Sequence, residues 1–584
     1  MKTIFLFIAL LSSLSLIAQQ STIQGKISNA ANGKPIAYAN VYNLTTGKGT
    51  LSNIDGYFEI NIKSMTDSIQ VSFIGFQRQF IDLQESVTNY TMRLEETAQL
   101  LSEIIVTPKD DAYLFDLIKA CRKNSTKTKK TAKAYYELKT YEDSMQIELV
   151  EGFYNLNFSG YDLEQLQLKA GRLALQPVNN RFFISLESSR AINSLQLWTE
   201  NDDFPNAPTN YSKRKGTKRF FLYLNKKYID DNNDSIYVIN YEPRQSTGTH
   251  FTGIVWINKS QESILKIKLQ CDDCQKHPFR PLFPTDSLLT INFNITKSFE
   301  TIQNESFFKH VDFNYTVNYK SRIGKNYERN YTIESNAVLY AYDFYQKFRI
   351  PSFSKSIFYI NDYQKINAFP YNEFFWNNND EYSLNDSKKS NERFFLDSNS
   401  LTNITIFDSI PHMKNSKIGL LERPYMKWSR DRIFLREIIE DTIETATTRQ
   451  VTADKYNLSI RIFVDINNYN DSFNVVTATI FDPFESFYRL EINLQAQCFI
   501  NMYFDICEIQ RRKLEKEIIS ISNNPEKLDL LLEDFAIQFE EKKIKFLNDV
   551  ERGTQERAMK SWNDYIIKEL KIDTLMIFKS FEEK

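Results

Sequence analysis

Two cysteines in the middle of the chain have the spacing of a metal or redox site. Cys271 and Cys274 form a Cys-x-x-Cys pair in the segment CDDCQKHPF, and His277 follows closely. Structural zinc prefers such thiolate and imidazole ligands, but it usually needs four of them, and a second cysteine pair is absent. His250 or His310 can complete the set only if the fold brings it close. A loop disulfide and two free thiols are the simpler alternatives.

No other short catalytic motif occurs in the sequence. The chain has only four histidines, and it lacks the G-x-S-x-G, P-loop and G-x-G-x-x-G motifs. Carboxylate pairs are common among 74 acidic residues, so their spacing alone does not identify a glycosidase pair. The sequence therefore predicts no catalytic residue and no cofactor.

The composition indicates folded, β-rich domains. With 584 residues the chain is too long for one core, so we expect about three or four domains. The 45 Phe and 32 Tyr greatly outnumber the 15 Gly and 15 Pro, which favours pleated sheets with large side chains. A net charge of −2 without a long basic segment argues against nucleic acid as a partner.

The first twenty residues, MKTIFLFIALLSSLSLIAQQ, have the pattern of a secretory signal peptide. One Lys precedes an apolar segment, and small residues precede a polar stretch. The apolar segment is short for a transmembrane anchor, which needs roughly 20 residues. We expect residues 1–18 to be a signal peptide that is cleaved near Ala18. The mature chain is then expected in the periplasm or in association with the outer membrane.

Residues 22–96 predict a small β-sandwich of about seven short strands. The pair Asp55-Gly56 between apolar segments is a strong hairpin signal. The phrases IQGKI, GKPIAYANVY, DGYFEI and VSFIGF, followed by LSEIIVTP, resemble the carboxypeptidase regulatory-like domain of outer-membrane and secreted proteins of Bacteroidetes. This resemblance implies a non-catalytic interaction module.

Two regions follow the sandwich. Residues 97–133 are expected to be a linker with a short helix, in which the Lys- and Thr-rich part is solvated. Residues 134–410 contain alternating segments such as FFLYLNKKYI and DSIYVINYEP, which predict one large antiparallel sheet. This region also resembles the middle part of other Bacteroidetes proteins with the same N-terminal domain. We expect the aromatic residues between 340 and 395 to lie in a core rather than on a binding surface.

The last region, residues 415–584, is predicted to be an α+β domain. A long helix is expected from about Ser486 to Ser520 because apolar residues recur there at helical spacing. A second helix is expected to begin at Pro525, with Asn524 as its N-cap. Periodicity alone predicts buried helix faces and nothing further.

The same region resembles a family of secreted bacterial zinc peptidases. That family has, in order, W-S-x-x-R/D, F-x-P-x-S-W, H-E-Q-x-H-F-D-I-x-E-x-x-A-R, H-G-T/S and Q-x-x-W. This chain has KWSRDR, FDPFESF, FINMYFDICEIQRRKL and VERGTQERAMKSW in that order. In an HExxH helix, two His side chains four residues apart hold Zn²⁺ and the Glu activates a water molecule. The resemblance therefore implies a zincin-like fold.

The positions that carry the peptidase chemistry are changed in this chain. Phe499, Ile500 and Tyr503 stand where the family has His, Glu and His, and Arg552 replaces the downstream His. Phe and Ile have no lone pair, a Tyr binds metal only when deprotonated, and Arg cannot be a ligand. The flanking residues that match the family are Asp505, Glu508, Arg511 and Trp562. We therefore expect a peptidase-like domain without peptidase chemistry.

These observations lead to one main hypothesis and one alternative. The main hypothesis is a secreted, multidomain, β-rich binding or scaffold protein of the bacterial cell envelope that is not an enzyme. Its partner is expected to be an envelope protein or a peptide, held by an open sheet face or by the vacated peptidase groove. The alternative is an envelope hydrolase that uses a carboxylate site in the middle domain or a metal site at Cys271, Cys274 and His277.

Overall fold

The computed structural model of the protein contains two compact units. The first comprises residues 1–167, 173–347 and 380–404, and the second comprises residues 168–172, 348–379 and 405–584. The structure describes residues 21–53, 55–97, 111–125, 128–177, 188–281, 284–302, 305–323, 327–352, 365–367, 369–379, 385–397, 400–403, 425–429, 456–469, 472–481, 486–488, 493–521 and 524–579. The predicted signal peptide, residues 1–18, lies outside these residues.

The predicted N-terminal β-sandwich is confirmed. Its strands are β1 (Ser21–Asn29), β2 (Asn40–Asn43), β3 (Lys48–Leu51), β4 (Tyr57–Ile62), β5 (Ile69–Ser72), β6 (Gln79–Ile81) and β7 (Asn89–Leu94). They form two sheets, in the orders β4-β1-β7 and β3-β2-β5-β6. Alternate residues such as Ile23, Val41 and Phe58 fill the core between the sheets. Gly56 has a φ of 80°, and a Cβ there would lie 2.3 Å from the Ile27 carbonyl oxygen, so this turn requires glycine.

The large antiparallel sheet predicted for the middle of the chain is also confirmed. Its strands are β8 (Lys129–Glu142), β9 (Met145–Ser159), β10 (Asp162–Leu175), β11 (Phe220–Ile229), β12 (Ser235–Pro243), β13 (Thr252–Asn258), β14 (Ser263–Cys271), β15 (Ser287–Ile302), β16 (Glu305–Ile323), β17 (Tyr327–Tyr342) and β18 (Leu401–Thr402). Their order is β11-β12-β13-β14-β15-β16-β17-β8-β9-β10-β18. An antiparallel meander from β11 to β17 is thus joined to β8.

The linker predicted for residues 97–133 is wrong at its C-terminal end. The short helix is present, but the Lys-rich segment belongs to the sheet, because β8 begins at Lys129. Lys130 is buried, with Nζ 2.7 Å from a carboxylate oxygen of Glu305 and 3.7 Å from the ring centre of Phe307. The Lys130 ammonium is thus paired with a carboxylate, and its side chain packs beside an aromatic ring. The succession of lysines in the sequence does not reveal these contacts.

Helices occur in both units. They are α1 (Asp111–Asn124), α2 (Ser188–Ser194), α3 (Lys213–Arg219), α4 (Glu373–Asn378), α5 (Asn385–Leu396), α6 (Leu494–Ile521), α7 (Pro525–Val550), α8 (Glu556–Leu570) and α9 (Thr574–Ile577). No helix among the described residues has both the length and the apolar composition needed to cross a bilayer.

The second unit combines small sheets with helices α6 to α9. Its strands are β19 (Met426–Lys427), β20 (Tyr456–Asn457), β21 (Ile460–Tyr469), β22 (Ser472–Phe481) and β23 (Phe487–Tyr488). They form the sheet β19-β22-β21 and the pair β20-β23. The long helix is confirmed, but it begins at Leu494 rather than near Ser486, and Phe487–Tyr488 form the short strand β23 instead. The second helix is confirmed too: the Asn524 side chain accepts a hydrogen bond from Lys527 N–H at 3.2 Å, and Pro525 is its first residue.

The boundaries of the middle region differ from the expected ones. Residues 348–379 group with the second unit, not with the large sheet, and the boundary expected between 410 and 415 lies outside the described residues. Among the aromatic residues expected in a core, Phe375 and Phe395 are buried, whereas Tyr345 is exposed.

Candidate functional site

Cys271 and Cys274 form a disulfide. Zinc binds the thiolate, so the oxidised pair offers it no ligand, and the zinc hypothesis then concerns the reduced chain only. His277 is half-buried, and burial lowers the pKa of its imidazole. Within the described ranges, no three His, Cys, Asp or Glu side chains cluster in a way that suits a metal ion.

The two histidines considered as additional zinc ligands have other neighbours. His250 Nε2 lies 3.2 Å from the Tyr211 hydroxyl and 3.2 Å from Nη1 of Arg219. His310 packs against Tyr38, with the ring centres 4.7 Å apart. In the first unit, His250 therefore takes part in hydrogen bonding, and His310 packs against an aromatic ring.

The positions that the peptidase resemblance singles out lie together in the core of the second unit. Phe499, Ile500 and Tyr503 on α6 are each at most 2% exposed. The ring of Phe546 on α7 is nearly parallel to both aromatic rings, with centre distances of 5.8 Å to Phe499 and 5.9 Å to Tyr503. Trp562 on α8 meets Phe546 edge to face at 5.4 Å. We call Phe499, Tyr503, Phe546 and Trp562 the aromatic cluster.

Zinc does not fit the residues at these positions. Phe499 and Ile500 offer no lone pair, and burial raises the pKa of Tyr503 well above its usual value of 10, so its hydroxyl stays protonated. Arg552 lies close enough to Tyr456 for its positive charge to oppose the rise in the Tyr456 pKa that burial causes. The position that the peptidase resemblance assigns to a third ligand is thus occupied by the positively charged Arg552. No reaction step through a metal can be derived from these side chains.

The flanking residues that match the peptidase family have structural partners. Asp505 is fully buried and accepts hydrogen bonds from Trp428 Nε1 and from the Thr574 hydroxyl, both at 2.8 Å. Glu508 accepts two hydrogen bonds from Arg511, at 2.8 and 2.9 Å. The Asp505 carboxylate therefore joins α6 to Trp428 and Thr574, and the Glu508 carboxylate is paired within α6.

A buried carboxylate pair in the large sheet was not predicted from the sequence. Glu137 on β8 lies directly opposite Glu151 on β9, and both are buried. Asn391 Nδ2 donates to both carboxylates, at 2.8 and 3.0 Å, and the Tyr135 hydroxyl lies 2.7 Å from Glu151. Lys139 Nζ is 3.1 Å from Glu137. Strand register and a distant helix create this pair, so no local signal identifies it, and its hydrogen bonds indicate a structural network.

A cleft in the first unit lies between the sandwich and the large sheet. Its volume is ≈300 Å³, and residues of both domains line it. Arg78 of the sandwich donates from its backbone N–H to Asp231 at 2.8 Å and from its guanidinium to Asn232 at 3.3 Å. The Tyr38–His310 contact also joins the two domains. The sequence did not predict this cleft, because its walls are far apart along the chain.

The charged groups of the cleft differ in whether a group of opposite charge lies within ion-pair distance. Lys309 Nζ lies 2.5 Å from Glu300, and its charge holds the pKa of that carboxyl below its usual value. His310 is 5% exposed, and burial, with the nearby Lys266 and Lys309, lowers its pKa to about 3, so the imidazole is neutral. Burial, with the nearby Lys268, lowers the pKa of Lys266 to about 8. The Asp312 carboxylate opposes this lowering, but Lys266 has no direct ion pair among the described residues, whereas Lys309 has one with Glu300.

Comparison with known proteins identifies the first domain. Residues 23–106 match the family described as CarboxypepD_reg-like domain. The N-terminal sandwich is a carboxypeptidase regulatory-like domain. The chain is also similar to the TonB-dependent receptor SusC of Bacteroides thetaiotaomicron, with 32% identity over 106 residues, which are 18% of this chain and 10% of the receptor. The chain thus spans a small part of the length of this curated relative.

Solved structures resemble parts of the chain only weakly. A LolA superfamily protein from Nitrosomonas europaea is 11% identical, and the match covers 40% of this chain and 92% of that protein, with a TM-score of 0.16. A chain of the Pseudomonas aeruginosa MucA/MucB complex is 10% identical, and the match covers 40% of this chain and 94% of that chain, with a TM-score of 0.15. These TM-scores are too low to support a conclusion about function.

Proposed function

We propose that the protein is a secreted, non-enzymatic binding or scaffold protein of the bacterial cell envelope, and that its second unit is a pseudo-peptidase. The aromatic cluster is the observation that carries the proposal. An HExxH peptidase needs imidazoles and a carboxylate at the positions of Phe499, Ile500 and Tyr503. Buried apolar side chains there stabilise a core and cannot generate a zinc-bound hydroxide.

Three further features support an envelope location. The N-terminal domain is of a type that also occurs in a TonB-dependent receptor, and the first residues have the pattern of a signal peptide. The disulfide between Cys271 and Cys274 is of the kind that persists in an oxidising compartment. We expect the partner to be an envelope protein or a peptide.

A proteolysis assay tests the absence of enzymatic activity. The mature chain, with zinc or with a chelator, is incubated with fluorescently labelled casein, and we expect no chelator-sensitive release of peptides. The variant Cys271→Ser/Cys274→Ser/His277→Ala is assayed beside it. Chelator-sensitive release by the native chain would contradict the proposal, and its loss in the variant would assign the activity to a Cys/His metal site.

A further inference from the structure

The cleft between the sandwich and the large sheet contains polar atoms without protein partners. Nε2 of His310 and Oδ1 of Asn40 are buried, and neither has a hydrogen-bond partner among the described residues. A buried polar group without a hydrogen-bond partner lowers the free energy of unfolding, because its desolvation is not compensated. Asn40 belongs to the sandwich and His310 to the large sheet, so each domain contributes one unpartnered polar atom at the wall of the cleft.

Lys266 adds a positive charge to the same cleft. Its Nζ lies 4.8 Å from the ring centre of Phe73 and 5.2 Å from that of Trp256. In the part of the chain that the structure describes, Lys266 has no ion-pair or hydrogen-bond partner. Two ring faces partly compensate an ammonium group but give it no acceptor for its N–H groups.

The acidic residues of the cleft are already engaged. Asp231 accepts a hydrogen bond from Arg78, and Asp234 accepts from Asn258 at 2.8 Å and from Gln261 at 2.6 Å. Glu300 is paired with Lys309, and the Asp312 carboxylate acts on Lys266 without an ion pair at contact distance among the described residues. In the described part of the chain, the Arg78 guanidinium donates only to Asn232. Lys266 is therefore the cation beside the apolar rings of the cleft that is left for an external anion.

The cleft also offers apolar surface. Phe73 and Phe76 of the sandwich and Tyr228 of β11 contribute to its lining. Ligand sites of this kind combine mostly apolar walls with a few polar groups that fix orientation. The open positions define what a ligand must supply: an anionic acceptor, a hydrogen-bond donor and an apolar body.

We propose that this cleft binds a small organic carboxylate that also carries an N–H or O–H donor and an apolar group. The carboxylate contacts Lys266, the donor contacts Asn40 Oδ1, and the apolar group packs against Phe73 and Phe76. The neutral imidazole of His310 accepts or donates one further hydrogen bond. The inference deepens the proposed binding function and rests on it. N-acyl amino acids and short peptides with a free C-terminal carboxylate share this chemistry.

Isothermal titration calorimetry of the mature chain with hippurate tests the inference. Hippurate has a carboxylate, an amide N–H and an aromatic ring, and its amide hippuramide is the matched neutral probe. We expect hippurate to bind with a dissociation constant tighter than about 1 mM, and hippuramide to bind at least about tenfold more weakly. Equal binding of the two probes, or no binding of hippurate, would overturn the proposed ligand class.

A pair of variants locates the contact. Lys266→Met is expected to weaken hippurate binding at least about tenfold, whereas Lys268→Met, on the same strand, is expected to change it by less than about threefold. Equal losses in both variants would mean that hippurate is attracted by the overall positive charge of this strand. That result would contradict a direct contact with Lys266. Failure of these tests leaves the casein result unaffected, so the ligand class and the non-enzymatic function are judged separately.

Discussion

The aromatic cluster of the second unit is closely packed, whereas, in the described part of the chain, the cleft of the first unit contains polar groups without hydrogen-bond partners beside a cavity. In the cluster, the rings of Phe499 and Tyr503 on α6 pack directly against the ring of Phe546 on α7. In the cleft, Lys266 and His310 line a cavity of ≈300 Å³, and neither the Lys266 ammonium nor His310 Nε2 has a hydrogen-bond or ion-pair partner among the described residues. A filled core stabilises the fold, whereas unpartnered polar groups cost stability. The cluster therefore serves the fold, and the contrast supports the proposal that the cleft binds a ligand.

The largest expected effect is on the aromatic cluster. Phe546→Ala removes the ring that packs against Phe499, Tyr503 and Trp562, and leaves a cavity. We expect it to lower the free energy of local unfolding of α6 by about 3–5 kcal/mol. Hydrogen exchange of the α6 backbone amides measures this quantity.

The matched control for this prediction lies on the same helix. Ile537 is 61% exposed, so Ile537→Ala is expected to change the α6 exchange free energies by no more than about 0.5 kcal/mol. If Phe546→Ala changed the exchange free energies as little as Ile537→Ala does, the aromatic cluster would not be a stabilising core of the second unit.

A second prediction concerns the glycine that follows the place of the third peptidase ligand. Gly553 has a φ of 87°, and a Cβ there would lie 3.0 Å from the Gln495 carbonyl oxygen and 3.2 Å from Phe499 Cβ. We expect Gly553→Ala to destabilise the second unit by about 1–3 kcal/mol, because backbone strain and crowding add. Urea unfolding of the full chain measures the loss.

Gly33→Ala separates the effect of backbone strain from that of crowding. Gly33 has a φ of 69°, but a Cβ at this residue would have no atom within 4 Å of it. Its replacement should cost about 1 kcal/mol of strain alone. A smaller loss at Gly553 than at Gly33 would show that α6 is not closely packed at this point.

The smallest expected effect is on the pH dependence of the cleft. The pKa of His310 is about 3 in the fold and near 6.5 when unfolded, so the unfolded chain binds the proton first as the pH falls. The contribution of His310 to stability is present above pH 6.5 and is lost progressively toward pH 3. We expect this loss to reach on the order of 1–2 kcal/mol by about pH 5, and to be absent in His310→Phe.

Urea unfolding of both proteins near neutral pH and at about pH 5 gives the comparison. Burial raises the pKa of Asp312 to about 6, so this carboxyl titrates in the same range, but it is present in both proteins. Its contribution therefore cancels in the difference. Identical pH dependence of the two proteins would mean that His310 is not buried as a neutral imidazole.

Much of the fold follows from local signals in the sequence. Asp55-Gly56 marks a turn of the sandwich, alternation marks the strands of the large sheet, and Asn524-Pro525 marks the start of α7. These signals depend on neighbours along the chain, which the sequence displays directly. The resemblance to a carboxypeptidase regulatory-like domain is confirmed for the same reason, because its motifs are continuous segments.

The sites depend on contacts that the sequence does not display. The Glu137–Glu151 pair needs the register of two strands and the approach of Asn391. The cleft needs Tyr38 to meet His310. The sequence also does not reveal that Lys130 is buried beside Glu305, because charge alone predicts solvation.

The most direct test of the account is the zinc content of the mature chain, residues 19–584. The purified protein is exposed to zinc and dialysed thoroughly, and the bound metal is measured by mass spectrometry. The account predicts much less than one zinc per chain, because the positions that the proposed peptidase resemblance assigns to the catalytic His and Glu residues hold Phe499, Ile500 and Tyr503. About one tightly held zinc per chain would contradict it.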